Sequence, residues 1–176
     1  MSETRSGYAR SASGLVGALV ACFLVIVFVW GLTRFQHRGH ADPAETVGYS
    51  AQLADARAQA PFDVLAPRPT PPGWRATSVT WQGAGPEVSW HLGFLTSRQE
   101  YVGLEQGNAI PREFIADRTP ADVPGDPVDI NGQRWQTLSS GHETALVLEG
   151  DEVTTIVTGT ASTAELIGFA ESLSAH

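Results

Sequence analysis

The stretch EVSWHLGFL, residues 87–95, decides the fold class. Val88, Trp90, Leu92 and Phe94 fall on one side of an extended chain, with Glu87, Ser89, His91 and Gly93 on the other. Side chains of a strand alternate with a period of two, so this pattern is that of a strand with one apolar face against a core. A helix would scatter the same residues around its axis. Such half-buried strands belong to antiparallel sheets, and an apolar face requires a second layer to cover it.

The flanking sequence supplies partners for this strand. Upstream, Pro61 to Pro72 is proline-rich and reads as extended, and Gly73-Trp74 turns it into a strand over Arg75 to Trp81. Downstream, Tyr101 to Gln106 is another strand, and Pro111 to Ala116 a short helix or turn. The Asn131-Gly132 pair between extended segments signals a hairpin. A second hairpin joins Thr144–Leu148 to Val153–Thr158 through Glu149-Gly150-Asp151. Ser162-Thr163-Ala164-Glu165 is a capping box, opening a helix with Leu166, Phe169, Ala170 and Leu173 on one side. Ahead of the sheet, Asp42-Pro43-Ala44-Glu45 predicts the start of a helix running to about Ala60, with a weak stripe of Val47, Ala51, Ala54 and Ala58. The expected architecture is α+β: about six antiparallel strands, covered on one face by the C-terminal helix.

Residues 14–32 carry no charge and no strongly polar side chain. As a helix, these residues would extend about 28 Å, close to the roughly 30 Å of a bilayer's hydrocarbon core. Leu19-Val-Ala-Cys22 has the form of a lipoprotein cleavage signal. The residues behind Cys22, Phe-Leu-Val-Ile-Val-Phe-Val-Trp, are apolar where a soluble tether would be needed. A secretory cleavage site with small residues is also missing after Leu32. The spanning helix is the better reading, with Cys22 an unreactive residue inside it. Arg5 and Arg10 before the run balance Arg34 and Arg38 after it, so charge leaves the orientation open. The short head and large C-terminal domain place the amino terminus in the cytoplasm. The divisions are then a cytoplasmic head (1–13), a transmembrane helix (14–32), a connector and helix (33–60) and an extracytoplasmic domain (61–176).

Composition narrows the function. From Asp42 onward there are 18 Asp and Glu against 7 Arg, and the chain has no lysine. A basic groove for nucleic acid is thereby excluded. A single cysteine excludes intramolecular disulfides and thiolate metal sites. No G-x-S-x-G turn, nucleotide-binding glycine loop or metal-ligand spacing occurs, so no catalytic residue, metal or cofactor is assigned. Adjacent His142-Glu143 reads as a solvated loop. The tryptophans, Trp90 above all, read as core ahead of ligand contacts. His91 points away from Trp90 and marks the sheet's other face. His91, Tyr101, Glu105 and Gln106 are the candidate ligand-binding residues.

Taken together, Pro72-Gly73-Trp74, Trp90-His91-Leu92-Gly93-Phe94, Tyr101-Val102-Gly103-Leu104-Glu105-Gln106 and Thr158-Gly159-Thr160-Ala161 resemble an actinobacterial family. It is the domain-of-unknown-function 4245 family of small single-pass membrane proteins. The resemblance implies a cytoplasmic head, one membrane helix and an extracytoplasmic domain, and it brings no catalytic or binding residues. The expected function is a membrane-anchored, non-catalytic binding or accessory module of the cell envelope. Its partner would be an envelope protein, a peptide or a small apolar ligand. The alternatives are an envelope hydrolase using His91 with Glu105, and a structural protein that oligomerises through its helices.

Overall fold

Alternation in the 87–95 segment becomes strand β3 (Ser89–Leu95), whose Trp90, Leu92 and Phe94 are completely buried. A computed structural model describes residues 46–83 and 85–175. The apolar run 14–32, Cys22, the head, most of the connector and Asp42-Pro43-Ala44-Glu45 lie outside the described residues. Among the described residues, no helix is long and apolar enough to cross a membrane.

Strand β3 pairs antiparallel with β2 (Arg75–Gln82) on one side and β4 (Tyr101–Gly107) on the other. The sheet continues through β9 (Thr154–Gly159), β8 (Glu143–Glu149) and β7 (Gln133–Ser140) to β5 (Val123–Pro124). Strand β6 (Val128–Ile130) joins β7 through the Asn131-Gly132 turn, where both residues have positive φ (52° and 78°). That is the conformation for which the Asn-Gly pair is suited. The sheet therefore has eight strands instead of about six. A separate two-stranded ladder joins β1 (Ala66–Pro67) to β10 (Leu173–Ser174). The additional strands are two or three residues long, too short for any periodicity to show in the sequence.

Among the described residues three helices pack around the sheet: α1 (Ser50–Gln59), α2 (Pro111–Arg118) and α3 (Thr163–Glu171). Helix α1 begins at Ser50, with Tyr49 as its N-cap. Residues 46–49 are non-helical because the Val47 N–H bonds the Ala76 carbonyl of β2 at 2.9 Å, holding that segment beside the strand. The inward stripe is correspondingly Tyr49, Leu53, Ala56 and Ala60, instead of Val47, Ala51, Ala54 and Ala58. The capping box of α3 forms as read: Glu165 N–H donates to the Ser162 hydroxyl, and the Ser162 N–H donates to the Glu165 carboxylate. The Ser162 hydroxyl bonded to Glu165, with Arg98 in support, holds that carboxyl below its ordinary pKa.

The sheet divides the apolar residues into two clusters. On one face Trp90, Leu92, Phe94, Leu104 and Val157 meet Leu166 and Phe169 of α3. Phe169 packs edge-on against Phe94 at 5.4 Å and stacks with Trp74 at 5.5 Å, anchoring the strand entrance that Pro72-Gly73-Trp74 creates. Each large apolar side chain buried this way contributes about 1.5–3 kcal/mol. On the opposite face a smaller cluster gathers Phe114 of α2 with Leu138, Ala145, Val147 and Ile156. The β2–β3–β4 end of that second face carries polar side chains and glycines in place of this cluster.

Candidate functional site

The polar end of the second face is built by register. In the β3–β4 pair His91 lies opposite Glu105, and Gly93 opposite Gly103. In β2 a bulge falls between Ala76 and Ser78, which changes the phase of the strand. Ala76 pairs with Phe94 on the core side, yet Ser78 pairs with Gly93 and Thr80 with His91. Unbroken alternation would have put Ser78 on the same side as Ala76; the extra residue redirects it to the face of His91.

The side chains that meet there form one hydrogen-bonded row. His91 Nδ1 lies 2.5 Å from Glu105 Oε1, and His91 Nε2 lies 2.8 Å from Ser78 Oγ. The second carboxylate oxygen of Glu105 accepts from Arg118 of α2 at 3.4 Å. Arg118 also donates to the Ser89 hydroxyl at 3.3 Å, which in turn donates to Gln82 at 3.2 Å. The Tyr101 hydroxyl and Ser78 Oγ meet over Gly93, both within reach of the position a Cβ there would take. Only one proton arrangement satisfies every member with a carboxylate at Glu105 and a neutral imidazole. Ser78 donates to His91 Nε2, and His91 Nδ1–H donates to Glu105. The Glu105 side chain is only 8% exposed, so Arg118 and His91 together compensate a charge that would be costly alone.

Tyr101 owes its position to two glycines. A Cβ at Gly93 would collide with Ser78 Oγ and stand 3.0 Å from the Tyr101 hydroxyl, and one at Gly103 would stand 2.9 Å from that hydroxyl. The ring thus lies over a strip of bare backbone. Burial, followed by the nearby Glu105 carboxylate, pushes the phenol up to about 12 from 10.0. Because the folded pKa exceeds the unfolded one, the stability linked to this hydroxyl is fully present below pH 10.0 and is lost as pH rises through about 12. A titration followed by phenolate absorbance is expected to show one tyrosine ionising near pH 12, absent in Tyr101→Phe. Ionisation of all tyrosines near pH 10 would contradict this placement.

Three of the four residues picked out from the sequence, His91, Tyr101 and Glu105, are therefore brought together. Gln106 is not among them. Its side chain passes to the opposite face, 1% exposed, where Oε1 accepts from the Leu65 N–H at 2.7 Å and Nε2 donates to the Asp63 carbonyl at 3.2 Å. It fastens the segment leading into β1 onto the sheet. Gln106→Leu is expected to cost about 1–3 kcal/mol in a denaturant melt, since it removes the side-chain hydrogen bonds to two backbone groups of that segment. Ser78 and Arg118 were not legible as partners of His91: one depends on the bulge, the other on the helix end carried over the sheet. His142 sits exposed in the β7–β8 turn. Among the described residues, no group of three His, Asp, Glu or Cys is placed to hold a metal ion.

A family model described as "Protein of unknown function (DUF4245)" matches residues 8–173, nearly the full chain. The chain belongs to the DUF4245 family. Its match spans every strand of the large sheet and helix α3, so the polar row lies wholly within the family domain. No curated protein matches the chain.

Proposed function

We propose that this DUF4245 chain is a membrane-anchored binding or accessory module of the cell envelope, with the amino terminus cytoplasmic and the domain outside. The 19 uncharged residues from 14 to 32 support the anchor, and the short head and large following domain support the orientation. The observation that carries the binding function is the convergence of His91, Tyr101 and Glu105 with Ser78 and Arg118 on one sheet face. Convergent, mutually oriented polar groups beside an apolar cluster are the usual make-up of a ligand site. Tyr101 and Arg118 present donors, which suits a ligand bearing carbonyl oxygens. The excess of 18 acidic over 7 basic residues from Asp42 onward disfavours anionic partners, leaving a neutral or basic peptide or small envelope molecule.

Photo-crosslinking in intact cells tests this. Thr80 is exposed and pairs with His91, so a benzoylphenylalanine there would face the row. It is expected to capture a species of discrete mass, whereas the same group at exposed Asp126, far along the chain in the loop before β6, is expected to capture none. Equal capture at both positions, or none at Thr80, would overturn the reading.

A further inference from the structure

We propose that Ser78 is a nucleophile, and that the Ser78–His91–Glu105 row cleaves a short, uncharged carboxylic ester through an acyl-serine. This rests on the reading of the same face as the ligand-binding surface, and goes beyond the non-catalytic role expected from sequence. Nucleophile, base and orienting acid are linked at 2.8 and 2.5 Å, within the reach that activation of a serine requires. The three residues come from adjacent strands β2, β3 and β4, so their spacing is fixed by ladder hydrogen bonds and not by a loop. Glu105 cannot turn away from His91, because Arg118 holds its other oxygen. Ser78 is half-buried on the outermost strand of the sheet, and the His91 side chain is 20% exposed, so an ester can approach from solvent. The bulge that redirects Ser78 is a device that recurs beside active sites.

The chemistry balances without a cofactor. Ser78 Oγ bonds to the ester carbonyl carbon while its proton passes to His91 Nε2, and the carbonyl electron pair moves onto oxygen. The Tyr101 hydroxyl, which stands with Ser78 Oγ over Gly93, is positioned to donate to that oxyanion. As a phenol it is protonated, and so a donor, at neutral pH. Collapse of the intermediate expels the alcohol, which takes the proton from His91. Water then attacks the acyl-serine, its proton passing through His91 back to Ser78, and a carboxylic acid leaves. Glu105 stays ionised throughout, orienting the imidazole and stabilising its cationic form.

Full-length protein in detergent, treated with a fluorophosphonate probe, is the test. One adduct on the peptide containing Ser78 is expected, together with release of p-nitrophenol from p-nitrophenyl acetate above the buffer rate. Ser78→Ala should abolish both and His91→Asn should slow both about 10²–10⁴-fold, the usual contribution of a positioned base. Tyr101→Phe, which keeps the ring over the glycines, should lower turnover and leave labelling in place. Ser139→Ala, on a distant strand, should change nothing. Circular dichroism of each variant separates loss of chemistry from loss of fold. Absence of a Ser78 adduct on folded wild type, or labelling indifferent to His91→Asn, overturns the proposal. If crosslinks still form at Thr80 in that case, the nucleophile fails and the binding face stands; if they do not, both fail.

Discussion

Gly159→Ala is expected to be among the most destabilising single substitutions in the domain, at about 3–5 kcal/mol. Gly159 sits between β4 and β8, opposite Val102 and Thr144. A Cβ there would run into the carbonyl oxygen of Tyr101, with the Tyr101 carbonyl carbon at 2.8 Å and Val102 Cα at 3.1 Å. These are backbone atoms in paired strands and cannot swing aside as a side chain would. The same carbonyl accepts N–H groups from Thr160 at 3.0 Å and Ala161 at 3.3 Å, which turn the chain toward α3. Forcing β4 and β9 apart combines overpacking of about 1–3 kcal/mol with about 1 kcal/mol for each hydrogen bond lost. A denaturant melt monitored by tryptophan fluorescence reads the change. A loss under about 1 kcal/mol would mean that the two strands do not approach as closely as described.

Trp90→Ala is expected to cost a similar 3–5 kcal/mol by a different route. Trp90 is fully buried at the centre of the apolar face, so truncation removes a large packed surface and leaves a void. Its indole N–H also donates to the Leu65 carbonyl at 3.0 Å. Leu65 is thereby held at both polar groups, its N–H by Gln106 and its carbonyl by Trp90. The two side chains work on one segment, so Trp90→Ala and Gln106→Leu should be non-additive, the double variant losing less than the sum. Additive losses in equilibrium unfolding would show that the two anchors act independently.

How far the sequence reveals this molecule follows the length scale of each feature. The alternation of Val88, Trp90, Leu92 and Phe94 is local, and it is reproduced with every one of those residues buried. The Asn131-Gly132 turn and the Ser162–Glu165 cap are likewise local and form where expected. The stretch 46–49, expected to be helical, is not, because Val47 bonds Ala76, a partner far along the chain that local spacing does not reveal. Strands of two residues are made by pairing with a distant partner, as Ala66 with Ser174, and leave no periodic trace.

The candidate site divides in the same way. His91 and Glu105 could be placed on strands from their own neighbours, and the ladder sets them opposite each other. Gln106 adjoins Glu105, and adjacent residues on a strand point to opposite faces, so its side chain enters the core instead. Ser78 needed knowledge of a bulge, and Arg118 needed the path of the chain between β4 and β5. Neither is encoded in the spacing of nearby residues. The polar row is thus a tertiary feature assembled from locally ordinary strands.

The proton arrangement along that row underlies both its ligand-binding and its nucleophilic role, and the histidine ring reports it directly. Nitrogen-15 spectra of the His91 imidazole in the full chain, at mildly alkaline pH, distinguish the two neutral tautomers. The expected result is a protonated Nδ1 held by Glu105 and a bare Nε2 accepting from Ser78, with the Nε2 signal moving in Ser78→Ala. A proton on Nε2, or a ring in which both nitrogens average, would contradict the row and every role assigned along it.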